Sequence, residues 1–211
     1  MRALLRLGYP LSATLYLISA RWIPYPGHPL VKAVPILLLA AAVLARAKRS
    51  AARLVFGVGL VFSAGGDIVL ASRIPASFVI GLSFFFVAHI FYAVAFYQRP
   101  WAELSRRKLP LAAILTIVLV MSFLVLPRAG ALLVPVTAYV LAISAMAVLA
   151  AVQKEDAFPL YAGALLFIVS DSVIALNKFV APIPRAGLLI MCTYYLAQLL
   201  LARGILGRAR A

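Results

Sequence analysis

Long apolar runs, each broken after roughly 20 residues by a short stretch carrying proline, glycine or a basic side chain, constrain this chain more than any other feature. A run of that length is the span of a bilayer, and within hydrocarbon a helix is the simplest segment that satisfies its own backbone hydrogen bonds. Eight such runs can be read, at about 4–20, 29–46, 54–72, 76–98, 109–127, 130–152, 158–180 and 186–206. The breaks between them are too short to hold a separate soluble domain. Residues 1–211 therefore read as one all-α polytopic membrane helix bundle of about eight transmembrane helices. Composition agrees: 66% of residues are hydrophobic and 12% charged, with a mean hydropathy of +1.10. A soluble domain is nearer half apolar and a quarter charged, and a disordered tail has the opposite bias. The lone cysteine, Cys192, excludes an intramolecular disulfide and a cysteine-based metal cluster.

The net charge of +15 does not point to nucleic acid, because the basic residues sit in short clusters between the apolar runs rather than along a polar face. Such clusters mark the cytoplasmic side of a multi-spanning protein. With the N-terminus inside, the inner set is Arg2, Arg6, Arg46, Lys48, Arg49, Arg53, Arg99, Arg106, Arg107, Lys108, Lys154, Arg203, Arg208 and Arg210. The outer loops hold Arg21, Arg73, Arg128 and Arg185, and Lys32 and Lys178 fall within spans. This asymmetry predicts eight spans with both termini cytoplasmic, in what reads as a bacterial inner membrane. Arg2 and Arg6 ahead of an apolar stretch resemble a signal peptide, but Pro10, Ser12 and Thr14 interrupt its core, and the segment reads as a retained span.

Of five acids, Glu103, Glu155 and Asp156 lie in inner loops, where water is expected to solvate them. Asp67 and Asp171 lie within spans three and seven. A carboxyl in hydrocarbon is costly and marks a functional site by default; the plainer reading is a hydrogen bond between helices that serves packing. Other polar groups share helical phase with them. Ser63 stands one turn before Asp67, and Gly59, Gly65 and Gly66 thin span three so that a neighbour or ligand can approach closely. Lys178 follows Asp171 by two turns, roughly 10 Å along the axis. His89 sits mid-span with Tyr92 at i+3, and Tyr194 and Gln198 share a face of span eight. Together with Lys32, these residues predict a cavity in the outer half of the bundle, floored near His89 and rimmed by basic groups. The plainer alternatives are a hydrogen-bonding His89, a packing Tyr194-Tyr195 pair, bulk at Phe84-Phe85-Phe86, and a Lys178 that anchors at the interface. Asp67-Ile-Val-Leu-Ala71 is echoed by Asp171-Ser-Val-Ile-Ala175, a weak signal of a four-plus-four parallel repeat.

These same residues carry a resemblance. Phe62-Ser63-Ala64-Gly65-Gly66-Asp67, Ala88-His89-Ile90-Phe91-Tyr92, Gly163 through Ala175 with Ser170-Asp171 at its centre, and Tyr194-Tyr195-Leu196-Ala197-Gln198 resemble the YhhN-type family of lysoplasmalogenases and their bacterial relatives. The resemblance runs from about Lys32 to Gln198. It implies an eight-spanning hydrolase that cleaves the vinyl ether bond of lysoplasmalogens to a fatty aldehyde and a glycerophospho-alcohol, with Asp67 and Asp171 as its catalytic pair. It implies a lysophospholipid substrate, and the polar residues of the expected cavity, Ser63, His89, Tyr92, Ser170, Lys178, Tyr194, Tyr195, Gln198 and Lys32, are expected to bind it. The chain departs from the family pattern at span two, where Ala33-Val34 separates Lys32 from Pro35.

The implied chemistry suits the inventory. Vinyl ether hydrolysis needs a proton delivered to the alkene β-carbon and a group that stabilises the resulting oxocarbenium ion and activates water, which two carboxyls with different roles can supply. No cofactor is called for, and the ligand set for a zinc site is thin, because His89 is the only imidazole within a span. The competing readings are a proton-coupled small-molecule or lipid transporter, with Asp67 and Asp171 as a proton relay, and a lipid-binding protein without catalysis. A transport path needs polar residues continuing to the inner face, and inward of His89 there is little besides Gln198 and Ser144.

Overall fold

A computed structural model describes residues 7–72 and 74–207. Its described residues form eight α-helices: α1 (Tyr9–Ser19), α2 (His28–Leu44), α3 (Ala51–Ala71), α4 (Ser77–Tyr97), α5 (Lys108–Val125), α6 (Leu133–Ala151), α7 (Ala157–Phe179) and α8 (Ala186–Leu206). Each expected span coincides with one of them. Six segments are long and apolar enough to cross a membrane, and α2 is apolar but only 17 residues long. The first expected span begins at residues outside the described set, as do Arg2, Arg6, Arg73, Arg208 and Arg210 of the charge count. The chain is thus an all-α, multi-pass membrane protein, as its sequence indicates.

The helix ends follow local chemistry. Ser50 caps α3 by accepting from the Arg53 amide, and α2 opens on Gly27, which takes the left-handed conformation a Cβ would resist, followed by Pro29 in the first turn. The outer surface is inverted relative to a water-soluble protein. Leu109, Phe123, Val134 and Phe158 are largely exposed, whereas Ser63, Asp67, His89, Gln153, Ser170 and Gln198 are buried. Hydrocarbon outside and polar groups inside is the arrangement a lipid solvent selects.

The chain divides into two compact units, Met1–Ala95 and Phe96–Ala211. In the first, α2 packs along α1 and α3. The thin face of α3 meets rings of α4: a Cβ at Gly59 would lie 2.6 Å from Tyr92, at Gly65 2.7 Å from Phe84, and at Gly66 2.7 Å from Phe85. The space opposite these glycines, open on sequence grounds to a neighbour or a ligand, is taken by aromatic side chains.

In the second unit α7 packs along α8 and α6, and α5 packs against α6 and α7. The α4–α5 and α6–α7 connections are tied by an isolated antiparallel bridge between Trp101 and Gln153 and by amide bonds from Ala102 to the Val152 carbonyl and Lys154 to the Pro100 carbonyl. Gln153 is the fully buried centre: its amide donates to the Phe96 and Leu149 carbonyls and accepts from Arg99. Arg99 also pairs with Asp156 at 3.4 Å. Asp156 is therefore held by an ion pair rather than simply solvated, a tie that only the folding of the two loops onto each other creates. Glu103 and its partner Arg106 do remain largely exposed.

Close approach of α7 and α8 depends on Gly163, where a Cβ would lie 2.9 Å from Leu201 and 3.0 Å from the Ala197 carbonyl oxygen. Gly163→Val is expected to destabilise the detergent-solubilised protein by about 1–3 kcal/mol through overpacking. Gly187→Ala, with no atom within 4 Å of the added Cβ, should leave the thermal midpoint unchanged or slightly raised. Equal midpoints for the two variants would show that the α7–α8 contact is not tight at Gly163.

Candidate functional site

An antiparallel pair of helices joined by a short turn brings residues equally far from the turn to the same height. In the first unit, α2 and α3 are such a pair, and they meet at Lys32 and Asp67. The lysine Nζ lies 3.2 Å from the Asp67 Oδ1. Both are nearly enclosed, with side chains 12% and 2% exposed. Breaking such a pair by removing one partner costs about 3–5 kcal/mol, because the other charge is left without compensation. Lys32 is thus not a rim charge above the carboxyl but its direct counter-ion, and the two residues inserted before Pro35 do not prevent the contact. Tyr9 and Tyr16, both buried on α1, lie within electrostatic reach of Asp67. Their seven-residue spacing puts them on one helix face, a signal present in the sequence but overlooked there.

Ser63 and Tyr92 are both fully buried, and their hydroxyls share a hydrogen bond of 2.9 Å between α3 and α4. Tyr92 also stacks on Phe56, with ring centroids 4.5 Å apart. His89 Nδ1 is 2.7 Å from the Phe85 carbonyl, one turn back on its own helix. A carbonyl only accepts, so Nδ1 carries the proton and donates. This contact fixes the ring orientation within α4, rather than between helices as the plainer reading had it.

In the second unit the same hairpin logic operates between α6 and α7. The Tyr139 hydroxyl donates to the Asp171 Oδ2. Sequence reasoning missed Tyr139, although a mid-span phenol in a largely apolar helix is itself a signal. Each intramembrane aspartate is therefore met by a polar side chain from the helix preceding its own, an ammonium for Asp67 and a phenol for Asp171.

The remaining expected residues disperse. Ser170 turns to α8, where its hydroxyl donates to the Ile190 carbonyl at 3.2 Å. Tyr194, Tyr195 and Gln198 are buried; Tyr194 packs edge-on against Phe167 at 5.4 Å and lies 5.6 Å from Tyr195. Lys178 is exposed at the last turn of α7, 5.9 Å from the Phe179 ring, which suits an interfacial position with access to a head group. Among the described residues, no group of three or more His, Cys, Asp or Glu side chains comes together to hold a metal ion.

A family profile described as the YhhN family matches residues 27–205. The chain is 38% identical over 197 residues to the human lysoplasmalogenase TMEM86A, covering 86% of this chain and 80% of that protein. It is 36% identical over 195 residues to the mouse lysoplasmalogenase TMEM86B, covering 90% and 81%. It is 31% identical over 194 residues to a lysoplasmalogenase of Mycobacterium tuberculosis, covering 84% and 71%. No solved structure matches the chain.

The Ser63–Tyr92 bond joins two helices and can be measured. Ser63→Ala and Tyr92→Phe should each destabilise the protein by about 1–3 kcal/mol, since each removes this buried hydrogen bond. The double variant should lose clearly less than the sum. Additive losses in unfolding experiments would mean that the two hydroxyls are not coupled.

Proposed function

The chain belongs to the YhhN family, and from that premise we propose that it is an integral-membrane lysoplasmalogenase, hydrolysing the sn-1 vinyl ether bond of a lysophospholipid to a fatty aldehyde and a glycerophospho-alcohol. The observation that carries this reading is identity of 31–38% to lysoplasmalogenases over 84–90% of the chain. The two intramembrane carboxyls supply a chemistry to match it. The transporter reading has no comparable support.

The proposed mechanism uses Asp67 and Asp171. One carboxylic acid delivers its proton to the β-carbon of the vinyl ether, and the π electrons form the new C–H bond, leaving an oxocarbenium ion. The other carboxylate stabilises this cation and takes a proton from water as the water oxygen bonds to the cationic carbon. In the resulting hemiacetal, the carbon–oxygen bond to the glycerol breaks as that oxygen receives the proton taken from water by the second carboxyl. The hemiacetal hydroxyl gives its proton to the carboxylate that made the first transfer, and the aldehyde remains. Protons given up and taken back are equal in number, so the pair returns to its starting state without a cofactor. The logic is that of glycosidase carboxyl pairs acting on a related cation.

Lys178, exposed at the end of α7, is proposed to meet the phosphate of the substrate. The charge asymmetry of the loops supports a chain with both termini cytoplasmic and with Asp67, near the end of α3, toward the outer face.

Aldehyde release from lysoplasmalogen by purified protein in detergent tests the reading directly. Asp67→Asn and Asp171→Asn should each lower turnover by about 10²–10⁴-fold, the usual worth of a positioned acid or base. Activity within a few-fold of the parent in both variants would return the aspartates to a packing role. Turnover should also survive prolonged chelation, and restoration of a lost activity by one divalent ion would replace the acid–base account with a Lewis-acid one. Lys178→Gln should raise KM for the phosphate-bearing lysolipid with kcat little changed, and an equal effect on a dephosphorylated analogue would exclude phosphate recognition.

A further inference from the structure

The family resemblance pairs the aspartates but does not divide the labour between them. Their surroundings do, and the clearest evidence lies within the first unit. Lys32 reaches Asp67 from the neighbouring helix and brings a full positive charge to 3.2 Å from the carboxyl oxygen. At 12% exposure the lysine side chain is poorly placed to read a head group in solvent. The buried phenols of Tyr9 and Tyr16 on α1 also lie within electrostatic reach of Asp67. A lysine and an aspartate in direct contact compensate each other as an ion pair, with the proton on the amine.

We infer that Lys32 is a positioning residue that holds Asp67 as the anion of the reaction, leaving delivery of the first proton to Asp171. This rests on the lysoplasmalogenase reading for its catalytic meaning, though not for the charge state itself. In that reading Asp67 is the group that faces the oxocarbenium ion as a carboxylate. It takes a proton from water as the C–O bond forms, and yields that proton to the departing glycerol oxygen when its bond to carbon breaks, while Asp171 regains its proton from the hemiacetal hydroxyl. Lys32 stays protonated throughout and touches no reacting atom. Lys32 and Lys178 then have opposite signatures: one sets the charge of a catalytic group, the other meets substrate.

Two measurements test this. The first needs no substrate. Infrared spectra of the parent minus those of the uncharged double variant Lys32→Met/Asp67→Asn should contain an ionised carboxylate band from Asp67, preserved in Lys32→Arg and lost in Lys32→Met. A protonated carboxyl band from Asp67 in that difference spectrum would overturn the inference, even if Lys32→Met alone does not fold. The second is kinetic. Lys32→Met should lower kcat by about 100-fold or more with KM within about threefold, and Lys32→Arg should recover to within about tenfold of the parent. A raised KM with unchanged kcat would make Lys32 a substrate contact and overturn the positioning role. If the parent releases no aldehyde while its infrared band depends on Lys32, the lysoplasmalogenase reading fails and the assignment of charge stands.

Discussion

A charged group among membrane-spanning helices has no water to solvate it, so it must bring its compensation from the protein. The Lys32–Asp67 pair meets that requirement with a direct contact between two nearly enclosed side chains, and much of the first unit can be understood as what makes the contact possible. The α2–α3 hairpin brings the two residues to one height. Glycines at 59, 65 and 66 let α3 press closely against Tyr92, Phe84 and Phe85 of α4, which limits how far α3 can turn. Tyr9 and Tyr16 close the α1 side with uncharged bulk. An ion pair made this way is expensive to assemble and costly to break, which is why it is better evidence of function than of stability.

The second unit treats its aspartate differently. Asp171 receives a phenolic hydrogen bond from Tyr139, again from the preceding helix of a hairpin. The weak sequence echo between Asp67-Ile-Val-Leu-Ala71 and Asp171-Ser-Val-Ile-Ala175 thus has a counterpart in how each carboxyl is met within its own unit. The chemistry of the two partners is unequal, one a cation and the other a neutral donor. That inequality suits an acid–base pair, because different surroundings push two carboxyls toward different protonation states.

Much of the architecture was legible in the residues. Hydrophobic run length sets the helices because a bilayer core has one thickness and a helix one rise, and the observed helices stay close to the expected spans. The loops were less legible. Gln153 sits in a polar break, yet it is fully buried and organises two connections, because two of its three side-chain hydrogen bonds, with Arg99 and the Phe96 carbonyl, reach a chain segment far away in sequence. Asp156 was read as solvated for the same reason.

The sequence by itself determined that this chain is a helical membrane protein, which residues within it carry charge at membrane depth, and which family it belongs to, because hydropathy, charge and motif are properties of the linear chain. Only the tertiary structure decided what each polar group meets. It placed Lys32 on Asp67 and Tyr139 on Asp171, turned Ser170 toward the backbone of α8, and filled the gap beside the glycines of α3 with rings. Helical periodicity assigns a side chain to a face of its own helix, but the partner comes from another helix, whose rotation is set by packing and not by any local pattern.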